Sequence, residues 1–201
     1  MKYLNQLIST ALIIIIGSSA SAGMSAGINV VHVFKSDIFG TDKPAVVTLR
    51  IIGENQSYPF MWSIIVEKSS DTLFAAKHDD EWLDKFFSDK GYIDGCEGYA
   101  ECKHKWYFND LPFLLQNALS KINRVDRPVE KWEIDTLQIL AGEFLEKKGL
   151  DQTNRSAVLT EMLSLLSSNY ISFCPPYTPV QQDTCFMYVP SLGYFVPYWD
   201  D

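Results

Sequence analysis

Apolar and polar positions alternate strictly through the first half of the chain. In AVVTLRII (45–52), Ala45, Val47, Leu49 and Ile51 fall on one face, with Thr48 and Arg50 on the other. A side-chain period of two is that of a half-buried strand. FMWSIIVEK (60–68) repeats it with Phe60, Trp62, Ile64 and Val66. INVVHVF (28–34) is a shorter β-rich run, and TLFAA (72–76) is a fourth strand candidate. The segments between them, KSDIFGTDKP, GENQSYP and SSD, are short and rich in turn residues, which predicts an antiparallel meander.

From residue 79 the period becomes helical, and four segments carry it. DDEWLDKFFSDKG sets Trp82, Leu83, Phe86 and Phe87 on one face, with Asp79 or Asp80 to cap it and Gly91 to end it. NDLPFLLQNALSKI (109–122) has Asn109 or Asp110 as cap and Pro112 in the first turn, where no helical N–H partner is lost. DRPVEKWEIDTLQILAGEFLEKKG carries a stripe of Trp132, Leu137, Leu140, Ala141 and Phe144 and stops at Gly149 after two lysines. TNRSAVLTEMLSLLSSN contributes Val158, Leu159, Met162, Leu163 and Leu166.

The tail breaks the pattern again. Pro175, Pro176 and Pro179 forbid helix, while CFMYV and YFVPYW flank Pro-Ser-Leu-Gly, a hairpin turn. The expected fold class is therefore α+β: an N-terminal antiparallel β meander, a four-helix middle segment and an aromatic, Pro-rich C-terminal hairpin. With no internal repeat or linker, one domain over residues 23–201 is the economical reading.

Residues 1–22 stand apart. Lys2 precedes an apolar run from Leu7 to Ile16, and Ala20-Ser21-Ala22 has the form of a cleavage site. This is the layout of a secretory signal peptide, with a core shorter than a membrane-spanning helix requires. Removing it takes away one lysine and moves the formal charge from −8 to −9. The expected location is a periplasm, or the exterior of a cell. Such acidity disfavours nucleic acid and anionic membranes and favours a basic protein partner. Oligomeric state is not legible.

Export changes how the 4 cysteines read. An even count in an oxidising compartment predicts two disulfides, most simply Cys96–Cys102 and Cys174–Cys185. Zinc is disfavoured, because Cys96, Cys102 and His104 have C-x5-C-x-H spacing rather than paired short ligand spacings. Calcium has Asp94, Glu97 and Glu101 nearby, without the ordered acidic loop it requires. No metal and no cofactor is expected. No S-x-x-K or H-E-x-x-H signature is present in the sequence, and the one G-x-S-x-G string, Gly23 to Gly27, directly follows the cleavage signal. His78 beside Asp79 and Asp80 is the best local acid–base cluster, yet helix capping accounts for all three positions.

The stretch from Asp94 to Asp110 concentrates the remaining chemistry. Asp94, Glu97 and Glu101 supply negative charge, Tyr99, Trp106 and Tyr107 are candidate anchors, and His104 is a candidate contact. Read as a disulfide-stapled loop, the segment would lose less entropy on docking. The competing structural reading turns the aromatics into the core. The function expected from these exclusions is an exported, non-enzymatic binding protein. Its sharpest form is a periplasmic immunity or inhibitor protein that docks on and blocks a toxic secreted enzyme with a basic surface. The alternatives are a small secreted hydrolase with a dispersed site using His78 or His104, and an envelope structural or assembly module.

Overall fold

The computed structural model describes residues 12–15, 28–53, 60–78, 99–123, 128–176 and 184–199. The chain divides into two compact units, Met1–Lys85 and Phe86–Asp201.

The first unit is the expected meander. Strands β2 (Ile28–Ser36), β3 (Ala45–Gly53), β4 (Met61–Lys68) and β5 (Asp71–His78) pair in sequence order, each antiparallel to the next. A short strand β1 (Leu12–Ile15) runs along the outer edge of β2. Alternation does what the sequence pattern demands: Val47, Leu49, Ile51, Trp62, Ile64 and Val66 are all buried, and Arg50 is exposed. Between β4 and β5, Ser69 and Ser70 both take positive φ, at 52° and 75°. Two such residues form the tight loop whose twist matches the flanking strands. A bulge opposite Val66 then places Leu73 on the buried face beside Phe74.

The second unit is a four-strand antiparallel sheet with two long helices packed on one face. Its strands are β6 (Leu119–Asn123), β7 (Asn169–Phe173), β8 (Cys185–Val189) and β9 (Tyr194–Trp199), in that order. A helical segment, α1 (Tyr99–Lys105), a π-turn (Trp106–Asp110) and α2 (Leu111–Gln116), precedes the sheet. Helices α3 (Lys131–Lys147) and α4 (Gln152–Leu166) lie between β6 and β7. Leu137, Ala141 and Leu145 from α3 meet Val158, Met162 and Leu166 from α4 over Met187, Val189, Val196 and Tyr198 of the sheet. The buried hydroxyl of Tyr198 pairs with that of Ser172 at 3.1 Å, so neither polar group is left unsatisfied.

Local chemistry fixes the helix ends. Asp151 caps α4, its carboxylate accepting the Asn154 N–H at 2.9 Å. At the start of α3, the Glu133 carboxylate reaches back to the Glu130 N–H at 2.9 Å. Gly149 ends α3 at φ 82°, a conformation that lets the Leu150 N–H donate to the Leu145 carbonyl. The C-terminal hairpin forms as expected, with Pro190–Gly193 as its turn, and the Glu161 carboxylate accepts the Ser191 N–H at 3.2 Å.

The four-helix middle segment is corrected. Its first expected helix, 79–91, lies outside the described residues. Its second does not start at Asn109 or Asp110: helix is already running from Tyr99, and both residues sit inside the π-turn. Nor does it reach Ile122, because Leu119–Asn123 is a strand paired with β7 over its full length, from Leu119 opposite Phe173 to Asn123 opposite Asn169. Helical spacing of Leu111, Leu115, Ala118 and Leu119 hid this, and ladder pairing outweighs it. In α3 the buried stripe is Glu133, Leu137, Ala141 and Leu145, so Trp132 lies half-exposed, edge-on to Trp199 at 4.7 Å. The expected pair of disulfides is matched in one: Cys174–Cys185 bridges the end of β7 to the start of β8. Cys96 lies outside the described residues, and Cys102 is buried in α1 with no free thiol.

Candidate functional site

The segment 99–116 carries most of the residues that the sequence nominates, and its geometry sorts them. Lys103, Tyr107, Leu111 and Leu115 are buried and follow one another at i+4. In an ideal α-helix each such step turns the stripe by roughly 40°. The wider π-turn, closed by the Leu111 N–H donating to the Trp106 carbonyl, takes back part of that rotation. It keeps Leu111 and Leu115 on the face already set by Cys102, Trp106 and Tyr107. Single π-turns of this kind occur frequently at functional sites.

Burial on one side defines the other. Trp106 and Tyr107 are 1 % and 0 % exposed, so both side chains belong to the interior and not to the surface where they were sought. Glu101 and His104 do face solvent, and the His104 ring lies 4.6 Å from that of Phe108. Tyr99 opens α1. Asp94 and Glu97 lie outside the described residues. The stretch from Tyr99 onward is thus a helix, where sequence reasoning expected a loop.

Two residues that sequence reasoning missed dominate the exposed side. Phe113 is 66 % exposed and Leu114 41 % exposed. The signal was available: in Leu111-Pro112-Phe113-Leu114-Leu115, five consecutive non-polar residues cannot all fit one face of a helix. Glu101, His104, Asn109 and Phe113 therefore form a solvent-facing ridge, acidic at one end and apolar at the other.

A second surface feature lies between α3 and α4. Ile139, Gly142, Glu143, Glu146, Arg155 and Leu159 line an open groove of about 370 Å³. Arg155 Nη1 crosses it to Glu146 Oε2 at 2.6 Å. A Cβ added at Gly142 would meet nothing within 4 Å, so no contact inside the protein requires glycine there.

The three histidines lie on separate elements. His32 lies in β2, and its ring is parallel to that of Phe34 at 6.3 Å. Its buried Nε2 has no hydrogen-bond partner among the described residues, and burial holds its pKa below the ordinary imidazole value. His78 ends β5 opposite Trp62, and His104 is on the helical ridge. No group of three or more His, Cys, Asp or Glu among the described residues is placed to hold a metal ion. No helix among them is long and apolar enough to cross a membrane.

These features define the class: an α+β protein of two antiparallel sheets, disulfide-linked in the second, with an exposed acidic–apolar helical ridge. No protein-family model, curated protein or solved structure matches the chain.

Proposed function

We propose that this is an exported, non-enzymatic binding protein, and specifically a periplasmic immunity or inhibitor protein that blocks a toxic secreted enzyme. The observation that carries the reading is Phe113, a large aromatic left 66 % exposed on a helix whose opposite face is fully packed. With Leu114 beside it, 41 % exposed, it makes an apolar pair outside the packed face, and aromatic side chains are enriched among the anchors of protein interfaces. Glu101 on the same ridge and the formal charge of −8 suit a basic partner. The Cys174–Cys185 bridge is compatible with an oxidising compartment. The reading also includes cleavage after Ala22 and a second staple, Cys96–Cys102, at the root of the ridge.

A pull-down from the native host with tagged mature protein, followed by an activity assay of the captured enzyme, tests the proposal. A stoichiometric complex with the enzyme's activity abolished is the expected result. Capture without inhibition would remove the inhibitor reading. Substrate turnover by the purified protein alone, lost in His78→Ala, would replace it with the dispersed hydrolase.

A further inference from the structure

Edge strands invite pairing with other chains, and proteins blunt them with charge, proline, bulges or shortness. Three edges among the described strands follow that rule. β5 carries Asp71 and Lys77 and faces a bulge in its pairing with β4. β6 has only five residues and exposes Lys121. β9 contains Pro197 and pairs across a register shift at Cys185 and Phe186. β2 does not: INVVHVFKS runs nine residues in unbroken register with β3, has no proline, and carries Lys35 as its one charged residue.

β1 occupies that edge. Leu12 lies opposite Val33, Ile13 opposite His32, Ile14 opposite Val31 and Ile15 opposite Val30. These four residues fall inside the stretch read above as a signal peptide. An export leader that doubles as a sheet strand leaves the sheet one strand short when it is removed.

We propose that the outer edge of β2 is a strand-accepting site, filled by residues 12–15 in the precursor and opened by leader cleavage, whose occupant is an extended apolar, β-branched segment of a partner protein. The inference rests on the export reading. The site's chemistry follows from the register. Backbone N–H and C=O groups of Val30–Val33 supply the ladder. Positions opposite Val30 and His32 continue the face that buries Phe34 and Leu49, and they require apolar side chains. Positions opposite Val31 and Val33 continue the other face, where both valines are half-buried. The tetrapeptide Leu-Ile-Ile-Ile is the sequence's own example of a fitting strand.

The test uses the mature protein, with its N-terminus fixed by mass spectrometry, and a synthetic peptide of residues 9–18 bearing solubilising lysines at its ends. Hydrogen exchange should show alternate amides of β2 becoming protected when the peptide binds. Two further peptides carry a single N-methyl group, at Ile13 or at Ile14. Adjacent amides of a strand point in opposite directions, so one methyl group removes a ladder hydrogen bond and the other points away. One methylated peptide should lose about tenfold in affinity, the scale of one net hydrogen bond, while the other binds as the parent does. Equal affinities for all three peptides, or no protection in β2, would overturn the proposal. A mature chain that dimerises through β2 would overturn the partner segment in favour of a second copy. A mature chain that still contains residues 12–15 would instead sink the export reading, a failure distinguishable from absent binding by a chain that begins at Gly23.

Discussion

Replacing both Cys174 and Cys185 with alanine should cost about 3 kcal/mol of stability. The bridge closes a loop with a sequence separation of 11. In the chain-entropy model, a loop of that length restricts the unfolded chain by about 3 kcal/mol at 25 °C. Nothing nearby makes the staple redundant, because β7 and β8 share only two registered pairs, Ser172 with Met187 and Phe173 with Phe186. Both cysteines are changed together so that no reactive thiol remains. Urea unfolding followed by far-ultraviolet circular dichroism reads the effect. With a slope of about 2 kcal/mol/M, the midpoint should fall by about 1.5 M. The slope itself should rise, since an unstapled chain exposes more surface when unfolded. A loss below about 0.5 kcal/mol, within the range of ordinary surface substitutions, would refute the argument that this bridge limits the freedom of the unfolded chain.

Gly142→Ala should raise stability by about 1 kcal/mol, because the added methyl meets nothing and the helix gains propensity; a lower melting temperature would contradict the open geometry of the groove. His32 should make the fold acid-sensitive. Above the ordinary value of 6.5, His32 is neutral whether folded or unfolded, and stability is full. As pH falls below it, the unfolded chain binds the proton first and stability drops, until the loss levels off below the lowered folded value. His32→Leu should flatten this part of the profile, and identical pH profiles for parent and variant would refute the assignment.

The sequence made the sheets legible where one face alone is buried. Ala45 to Ile51 and Phe60 to Val66 alternate because one face meets the interior and the other half-exposed surroundings, so period two survives. The C-terminal hairpin was legible because Pro190 and Gly193 punctuate two β-rich runs. The helical segment 99–116 was not, for two reasons. Cys96 and Cys102, with Asp94, Glu97 and Glu101 beside them, favour a stapled-loop reading, although Cys102 and Trp106 are spaced for a helix. Its π-turn also displaces the amphipathic stripe from the regular 3.6-residue pattern that sequence reading relies on. The strand at Leu119 was hidden because its pairing partner, β7, lies beyond both long helices in sequence. The candidate site was half legible: Glu101 and His104 do reach the surface, whereas Trp106 and Tyr107 satisfied the competing structural reading. Phe113 went unnoticed because an apolar residue on an amphipathic segment is ordinarily assigned to its buried face.

The central claim is that the ridge formed by residues 99–116 is the docking surface. Calorimetric titration of the partner captured from the native host against parent and Phe113→Asp protein tests it most directly. Because Phe113 is mostly solvent-exposed, its replacement should leave the melting temperature within a degree or so of the parent. Loss of an anchoring aromatic from an interface costs about 2–4 kcal/mol, so Kd should rise by about thirtyfold to a thousandfold. Adding Glu101→Lys should weaken binding to a basic partner further. Unchanged affinity in a correctly folded Phe113→Asp protein would contradict the account and place the docking surface elsewhere.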